Sequence, residues 1–326
     1  MYRTRVRPVI TPYLFVLAPL LAAALWGGLY VVSKWGFNTV PPLTLAFLRI
    51  TVGSIALLII VRLKYPNRTT SRRDVLGFTA LGVVVAVSIV TQFVGTDLTT
   101  ASQGSLITVL TPVFTVALGI VVLGERLTGR LLTGLVLAAV GTIIVLSGQY
   151  DLTDLRGGAT VGIGMLLIAS ATWAVYTVWG KPLIERYSAL ETAAYSSAVA
   201  VPVTGILVPY EILTTEFSPH LLLVTPSIVV AILYLGLAGT AGAWYLWYKG
   251  MEYGDASVVS AFFFAQPVVG AAFGAVFLGE QLGSRFLIGG VVMAVGVYLV
   301  ATTHSTERGC DTSTREVAPV PRSNNH

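Results

Sequence analysis

One stretch of this chain occurs twice. Residues 101–146, ASQGSLITVLTPVFTVALGIVVLGERLTGRLLTGLVLAAVGTIIVL, return in degraded form at 256–301. At a fixed offset of 155 and without a gap, Ala101 falls on Ala256, Ser105 on Ser260, Pro112 on Pro267, Gly124-Glu125 on Gly279-Glu280, Arg130 on Arg285 and Gly141 on Gly296. Between 101 and 141 about 19 of 41 positions are identical, where chance in so apolar a sequence gives roughly four. A chain built twice must arrange two copies of one unit around a shared boundary, and that limits its architecture more than any single motif does.

What the unit is made of follows from its chemistry. Of 326 residues 55% are hydrophobic and 11% charged, and the mean hydropathy is +0.81. Such a chain cannot be solvated as an ordinary globular domain and reads as an integral membrane protein. Charge-free runs of about 20 residues recur along it, each long enough to cross about 30 Å of hydrocarbon as a helix. Strands would require a polar residue at every second position, and that alternation is absent. The basic pI of about 9.3 does not point to nucleic acid, because the Lys and Arg residues lie between the apolar runs, where they orient a membrane protein. Cys310, His220, His304 and His326 are too scattered for a disulfide framework or a metal cluster. No Walker motif, dinucleotide fingerprint, HExxH or acidic metal pair is present, so the sequence implies no cofactor and no enzyme chemistry.

The runs give ten expected spans, near 13–33, 43–62, 75–95, 102–123, 131–148, 159–179, 190–210, 226–248, 257–278 and 286–302. Arg3, Arg5 and Arg7 precede the first, as in a secretory leader, but the run is too long and passes Ala22-Ala23-Ala24 unbroken, so it reads as a retained helix. From a cytoplasmic N-terminus the connecting basic residues fall inside, except Arg156 and Arg285. That bias predicts a multi-pass plasma-membrane protein with both termini cytoplasmic. The expected organisation is a cytoplasmic segment 1–12, a first repeat 13–148 holding helices 1–5, a second repeat 159–302 holding helices 6–10, and a disordered cytoplasmic tail 303–326. WGGLYVVSK at 26–34 matches WAVYTVWGK at 173–181 with an offset of 147, which places about eight extra residues of the second copy near 210–225. Five is odd, so the copies cross in opposite senses, and a pocket between inverted halves can open to either side in turn.

Several residues stand out against this background. Pro112 and Pro267 lie mid-helix and free the carbonyls of Thr108 and Phe263, with Thr111 and Gln266 beside the breaks; each proline either bends its helix around a cavity or is a static kink. Glu125 and Glu280 end those helices and read as hinges that accept from the starts of the next helices or pair with Arg130 and Arg285, or as coupling-ion sites. Arg49 lies seven residues beyond Pro42, about 10 Å along a helix. It is an anion clamp or a side chain that snorkels to the surface. Lys34 and Lys181 are interface anchors or gates at equivalent helix ends. Trp244 to Tyr248 beside Lys249 resemble an interfacial aromatic belt, whereas Trp26, Tyr30, Trp173, Tyr176 and Phe263 lie deeper and can line a pocket. Gly134, Ala138 and Gly141 face a similar small-residue stripe at Gly289, Gly290, Ala294 and Gly296. No span carries a mid-membrane Asp or Glu, the nearest being Asp97, so an acidic proton relay is not evident.

WGGLYVVSK, then PPLTLAFLR ending at Arg49, then TPVFTVALGIVVLGERLTG resemble the EamA-type domain of the drug/metabolite transporter superfamily, and WAVYTVWGK with AQPVVGAAFGAVFLGEQLG resemble it again. The resemblance spans about 14–303. It implies an all-α membrane protein of ten transmembrane helices in two inverted five-helix repeats, which exports or exchanges amino acids, other small metabolites or drug-like compounds without ATP. Helix 7 departs from the pattern, with Tyr195 near the place of Arg49. The expected solute pocket is lined by Trp26, Tyr30, Gln92, Ser105, Thr108, Thr111, Trp173, Tyr176, Phe263 and Gln266, with Arg49 as anion clamp. The partners are then a small-molecule solute and the lipid bilayer. The sequence sets no oligomeric state, and a monomer satisfies it. Nucleotide sugars or lipid-linked sugars are the alternative cargo, and a non-transporting scaffold the alternative role.

Overall fold

A computed structural model describes residues 11–65, 71–99, 101–108, 110–149, 160–215, 226–269 and 283–315. The helices follow the apolar runs. In chain order they are α1 (Thr11–Gly27), α2 (Leu29–Gly36), α3 (Pro42–Lys64), α4 (Arg72–Leu98), α5 (Ala101–Thr108), α6 (Thr111–Leu123), α7 (Gly129–Gln149), α8 (Thr160–Arg186), α9 (Ala189–Gly205), α10 (Val208–Thr214), α11 (Pro226–Met251), α12 (Ala256–Val269) and α13 (Ser284–Arg315). Six stretches, Val16–Gly36, α3, α4, α8, Ala189–Thr214 and α11, are long and apolar enough to cross a bilayer. The other apolar helices among the described residues, α6, Gly129–Ile144, α12 and Ser284–Val300, are shorter.

Local sequence explains where several of these begin and break. Pro42 opens α3 at a position whose N–H has no helical partner in any case. Ser71 and Ser188 cap α4 and α9 by accepting from the N–H of Asp74 and Glu191. The fourth run is cut in two, with Pro112 in the first turn of α6, and in the second copy Ala261–Phe264 tightens to a 3₁₀ turn just before Pro267. Within α11, residues Tyr234–Gly242 widen into a π-helix. At the far end α13 continues to Arg315, into the stretch expected to be a disordered tail. No proline interrupts the chain there before Pro319, and extending an existing helix is far easier than nucleating one.

The packing repeats when the halves are exchanged. Helix α4 packs on α8, and α11 on α1; α3 with α9 and α7 with α13 map onto themselves. The correspondence reaches single residues. A methyl group placed on Gly95 would meet Leu166 at 2.8 Å, and one on Gly250 would meet Pro19 at 2.8 Å. These are one contact seen twice, since Gly250 is Gly95 shifted by 155 and Pro19 is Leu166 shifted back by 147. Likewise Lys34 Nζ donates to Thr99 O at 2.8 Å, and Lys181 Nζ to Gly254 O at 3.2 Å. Helices α7 and α13 run antiparallel in backbone contact, with Gly134 and Gly141 against Gly296, Met293 and Gly289. Gly290 meets nothing within 4 Å and is not part of that face.

Carboxylates from one half hold helix starts in the other. Gly124 takes the left-handed conformation that ends α6, with φ 67°, and so turns Glu125 toward α12. There Glu125 accepts from the N–H of Ala256 (2.9 Å) and Ser257 (3.1 Å) and from the Ser257 hydroxyl. Glu211 accepts from Leu43 N at 2.9 Å, Thr44 N at 2.6 Å and Thr44 Oγ1 at 2.7 Å, at the start of α3. Within the second half, Glu252 caps α9 by accepting from Ala189 N at 2.8 Å. Each satisfies donors that a helix start leaves open, and places negative charge at the positive end of its dipole.

Candidate functional site

Where the halves meet, a cavity of about 30 Å³ is lined by Trp26, Leu29, Tyr30, Arg49, Ser88, Ile89, Gln92, Thr108, Thr111, Ala169, Ser170, Trp173, Phe263 and Gln266. The repeat supplies its scaffold, and departures from the repeat supply its character. Gln92 Nε2 donates to the Tyr30 hydroxyl at 2.8 Å, while at the corresponding positions Trp247 Nε1 donates to Thr177 Oγ1 at 3.2 Å. Thr108 likewise corresponds to Phe263. The polar wall of Gln92, Tyr30 and Thr108 therefore comes from the first half, and the aromatic wall from the second half together with Trp26.

The polar wall is a directed chain of donors. Arg49 Nη1 reaches Gln92 Oε1 at 3.5 Å, Gln92 donates to Tyr30, Tyr30 donates to Thr108 Oγ1 at 2.8 Å, and Thr108 donates to Gly104 O at 2.9 Å within α5. Arg49 is 2% exposed and does not snorkel. Its Nε donates to Thr240 Oγ1 at 2.8 Å and its Nη2 to Gly239 O at 3.3 Å, both in the π-helix, and its guanidinium carbon lies 5.4 Å from the Phe93 ring centre. The Gly239 carbonyl, within the π-helix, accepts from Trp26 Nε1 as well, at 2.8 Å. Among the described residues no carboxylate pairs with Arg49. A buried cation held only by neutral acceptors leaves a positive field in the cavity.

The aromatic wall is continuous. Phe263 stacks on Trp26 at 5.2 Å, Trp173 meets Trp26 edge-on at 5.3 Å, and Trp247 meets Phe263 at 4.7 Å. Behind it, Trp244, Trp247 and Tyr248 are buried against Tyr176 and Trp26. They are not an interfacial belt, because α1 and α8 cover the face of α11 that carries them. Two polar atoms of the cavity residues are buried without a hydrogen-bond partner, Ser170 Oγ and Trp173 Nε1.

Of the residues expected to form the pocket, all but Ser105 and Tyr176 line this cavity. The Ser105 carbonyl accepts from Thr108 Oγ1 at 3.1 Å within α5. Tyr176 stands one layer back, its hydroxyl bonded to Ser196 Oγ at 3.0 Å and its ring 5.1 Å from Trp173. Pro112 and Pro267 are buried beside the irregular turns of α6 and α12. Glu125 meets Lys181 at 3.6 Å rather than Arg130, whose Nη2 donates to Thr302 Oγ1. Arg285 donates to Ser147 O at 2.9 Å. Glu280 lies outside the described residues. Lys181 also bonds Asp255 at 3.0 Å, and Lys34 caps the end of α4 through the carbonyls of Thr96, Asp97 and Thr99. Sequence reasoning passed over Ser88 and Ser170. The repeat marks both, since their counterparts are Ala243 and Ala23, so the shared fold does not need the hydroxyls.

The family model described as the EamA-like transporter family matches residues 13–147 and 160–302. An uncharacterized transporter of Archaeoglobus fulgidus is 28% identical over 280 residues, covering 86% of this chain and 94% of its own. A probable amino-acid metabolite efflux pump of Salmonella typhimurium is 27% identical over 289 residues, 86% of this chain and 92% of that one. A probable terminal-alkyne amino-acid exporter of Streptantibioticus cattleyicolor is 27% identical, covering 87% and 92%. A solved crystal structure superposes with a TM-score of 0.71 at 17% identity, covering 94% of this chain and 99% of that one, and so shares the fold.

Proposed function

Since the chain belongs to the EamA-like transporter family, we propose that it exports small organic metabolites, amino-acid-derived or drug-like, across the plasma membrane without ATP by alternating access. In this reading ten spans cross as two inverted five-span halves with both termini cytoplasmic. The observation that carries it is the amphipathic cavity between the halves, with Arg49, Gln92 and Tyr30 on one side and Trp26, Trp173 and Phe263 on the other. Relatives named as amino-acid metabolite exporters support the solute size. At about 30 Å³ the cavity is far below the several hundred Å³ of a solute pocket, so the solute enters only as one end of the bundle opens. The Glu125, Lys181 and Asp255 cluster ties one end, and Lys34 on the last carbonyls of α4 ties the other. Pro112 and Pro267 mark where α6 and α12 flex.

Nucleotide sugars and lipid-linked sugars carry phosphates that call for several cationic groups, and among the described residues Arg49 alone supplies charge in the cavity wall. The test is counterflow in proteoliposomes with amino acids, organic cations and sugar phosphates, with and without a proton gradient. At least one amino-acid-derived or drug-like solute exchanges, and Trp173→Ala with Gln266→Ala lowers its flux about tenfold or more. No exchange of any solute removes the carrier reading, and undiminished flux in the double variant moves the site elsewhere.

A further inference from the structure

The transport reading leaves open what the cavity selects, and the breaks in repeat symmetry narrow it. Trp26 and Trp173 occupy equivalent positions. Trp26 Nε1 is satisfied by the Gly239 carbonyl, which lies in the π-helix of α11. The matching stretch of α4 is regular α-helix, its carbonyls taken up within the helix, and Trp173 Nε1 is left buried without an acceptor. Ser170 Oγ, one turn earlier on α8 and 1% exposed, is also unpartnered. Across the cavity Arg49 spends Nε and Nη2 on Thr240 and Gly239, and its Nη1 has only the long contact to Gln92. A guanidinium has five N–H donors, so at least one is left for a ligand. The unsatisfied buried donors call for an acceptor, and the unpaired cation for one that carries negative charge.

Among the described residues no Asp or Glu lines the cavity. A free ammonium brought into it would find aromatic faces and neutral oxygens but no counter-charge, beside a fixed positive guanidinium. We propose that the favoured solute is a monocarboxylate with an apolar or aromatic body and no free ammonium, such as a 2-oxo acid, an N-acylated amino acid or an arylalkanoate. Its carboxylate sits at Arg49, with Ser170 and Trp173 as the further donors of the same cavity, and its body lies against Trp26 and Phe263. This rests on the carrier reading and states more than it, since amino-acid zwitterions and organic cations become the poorer cargo.

The experiment holds one aromatic body fixed and varies its charge. Counterflow into proteoliposomes of the purified full-length chain at pH 7 is measured with phenylpyruvate, N-acetylphenylalanine, phenylalanine and phenethylamine. The first two are expected to exchange about tenfold faster than phenylalanine or more, and phenethylamine not at all. Phenylalanine equal to the blocked acids, or phenethylamine exchanging, overturns the proposal while the carrier reading stands. Exchange of other solutes with none of these four also overturns it alone, whereas exchange of nothing in the wider panel removes both. Arg49→Gln is expected to abolish the preference for the carboxylates. If that variant fails to fold, Ser170→Ala and Trp173→Phe, which remove donors that bond nothing else, are each expected to lower carboxylate exchange several-fold, and unchanged exchange in both sinks the assignment.

Discussion

Arg49 is held by geometry that a regular helix cannot offer. Thr240 Oγ1 accepts from its Nε at 2.8 Å while donating to Leu235 O at 2.9 Å, five residues back along the π-helix. Thr240→Val removes the acceptor and the hydroxyl's bond to the Leu235 carbonyl. A hydrogen bond to a charged group is worth about 1.5–3 kcal/mol, so the KM of the favoured solute in counterflow should rise about tenfold or more, with Thr240→Ser close to wild type. A merely structural role for Thr240 would lower the amount of folded protein and leave KM alone. The cavity was largely legible beforehand because its residues are where polar or aromatic side chains interrupt apolar runs, as with Gln92, Trp173 and Gln266. The π-helix was not legible. It adds a residue to a turn without changing which residues are apolar, and only Gly236, Gly239 and Gly242 hint at it.

Helices in this fold are secured at their starts by residues distant in sequence, and Glu125 shows why such bonds escape a reading of neighbours. Its partners at Ala256 and Ser257 are in the other half, and Gly119 has no side chain where Glu125 and Ser257 must fit, a methyl group there lying 2.6 Å from Glu125 Oε2. The Gly-Glu pair was visible in both repeats; which helix it reaches depends on how the repeats dock. Glu125→Ala strands two N–H groups at the start of α12 and removes one of the two carboxylates beside Lys181. Charge-assisted bonds of this kind together contribute about 3 kcal/mol, so the variant should melt several degrees lower in detergent, followed by tryptophan fluorescence. Glu125→Gln, which keeps an acceptor but loses the charge, should fall between. Equal melting of all three would mean that α12 is secured by apolar packing alone. The belt assigned to Trp244 and Trp247 failed for a related reason: aromatics beside Lys249 at a span end have the composition of a belt, and only the docking of α1 on α11 buries them.

At the scale of the whole molecule the issue is which compartment each end of the bundle faces. Arg130 at the start of α7 meets Thr302 late in α13, and Arg285 at the start of α13 meets Ser147 late in α7. The two helices are therefore antiparallel, and their first residues, equivalent in the repeat, lie at opposite ends of a pair about 30 Å long. If the long axis of that pair crosses the bilayer, the turns just before those residues face different compartments, and a cavity midway between them can be served from both. Cys310 is the native thiol, so a Cys310→Ala background allows single reporters, Leu127→Cys in one turn and Gly283→Cys in the other. Leu127 is half-exposed and nothing lies within 4 Å of Gly283, so both sites tolerate the change. In intact cells a membrane-impermeant maleimide should label Gly283→Cys and spare Leu127→Cys until the membrane is opened, because the basic residues near Leu127 favour the cytoplasmic side. Labelling of both from outside, or of neither, would place the two turns in one compartment. The halves would then not be inverted, and rocking one against the other could not carry a solute from one side to the other.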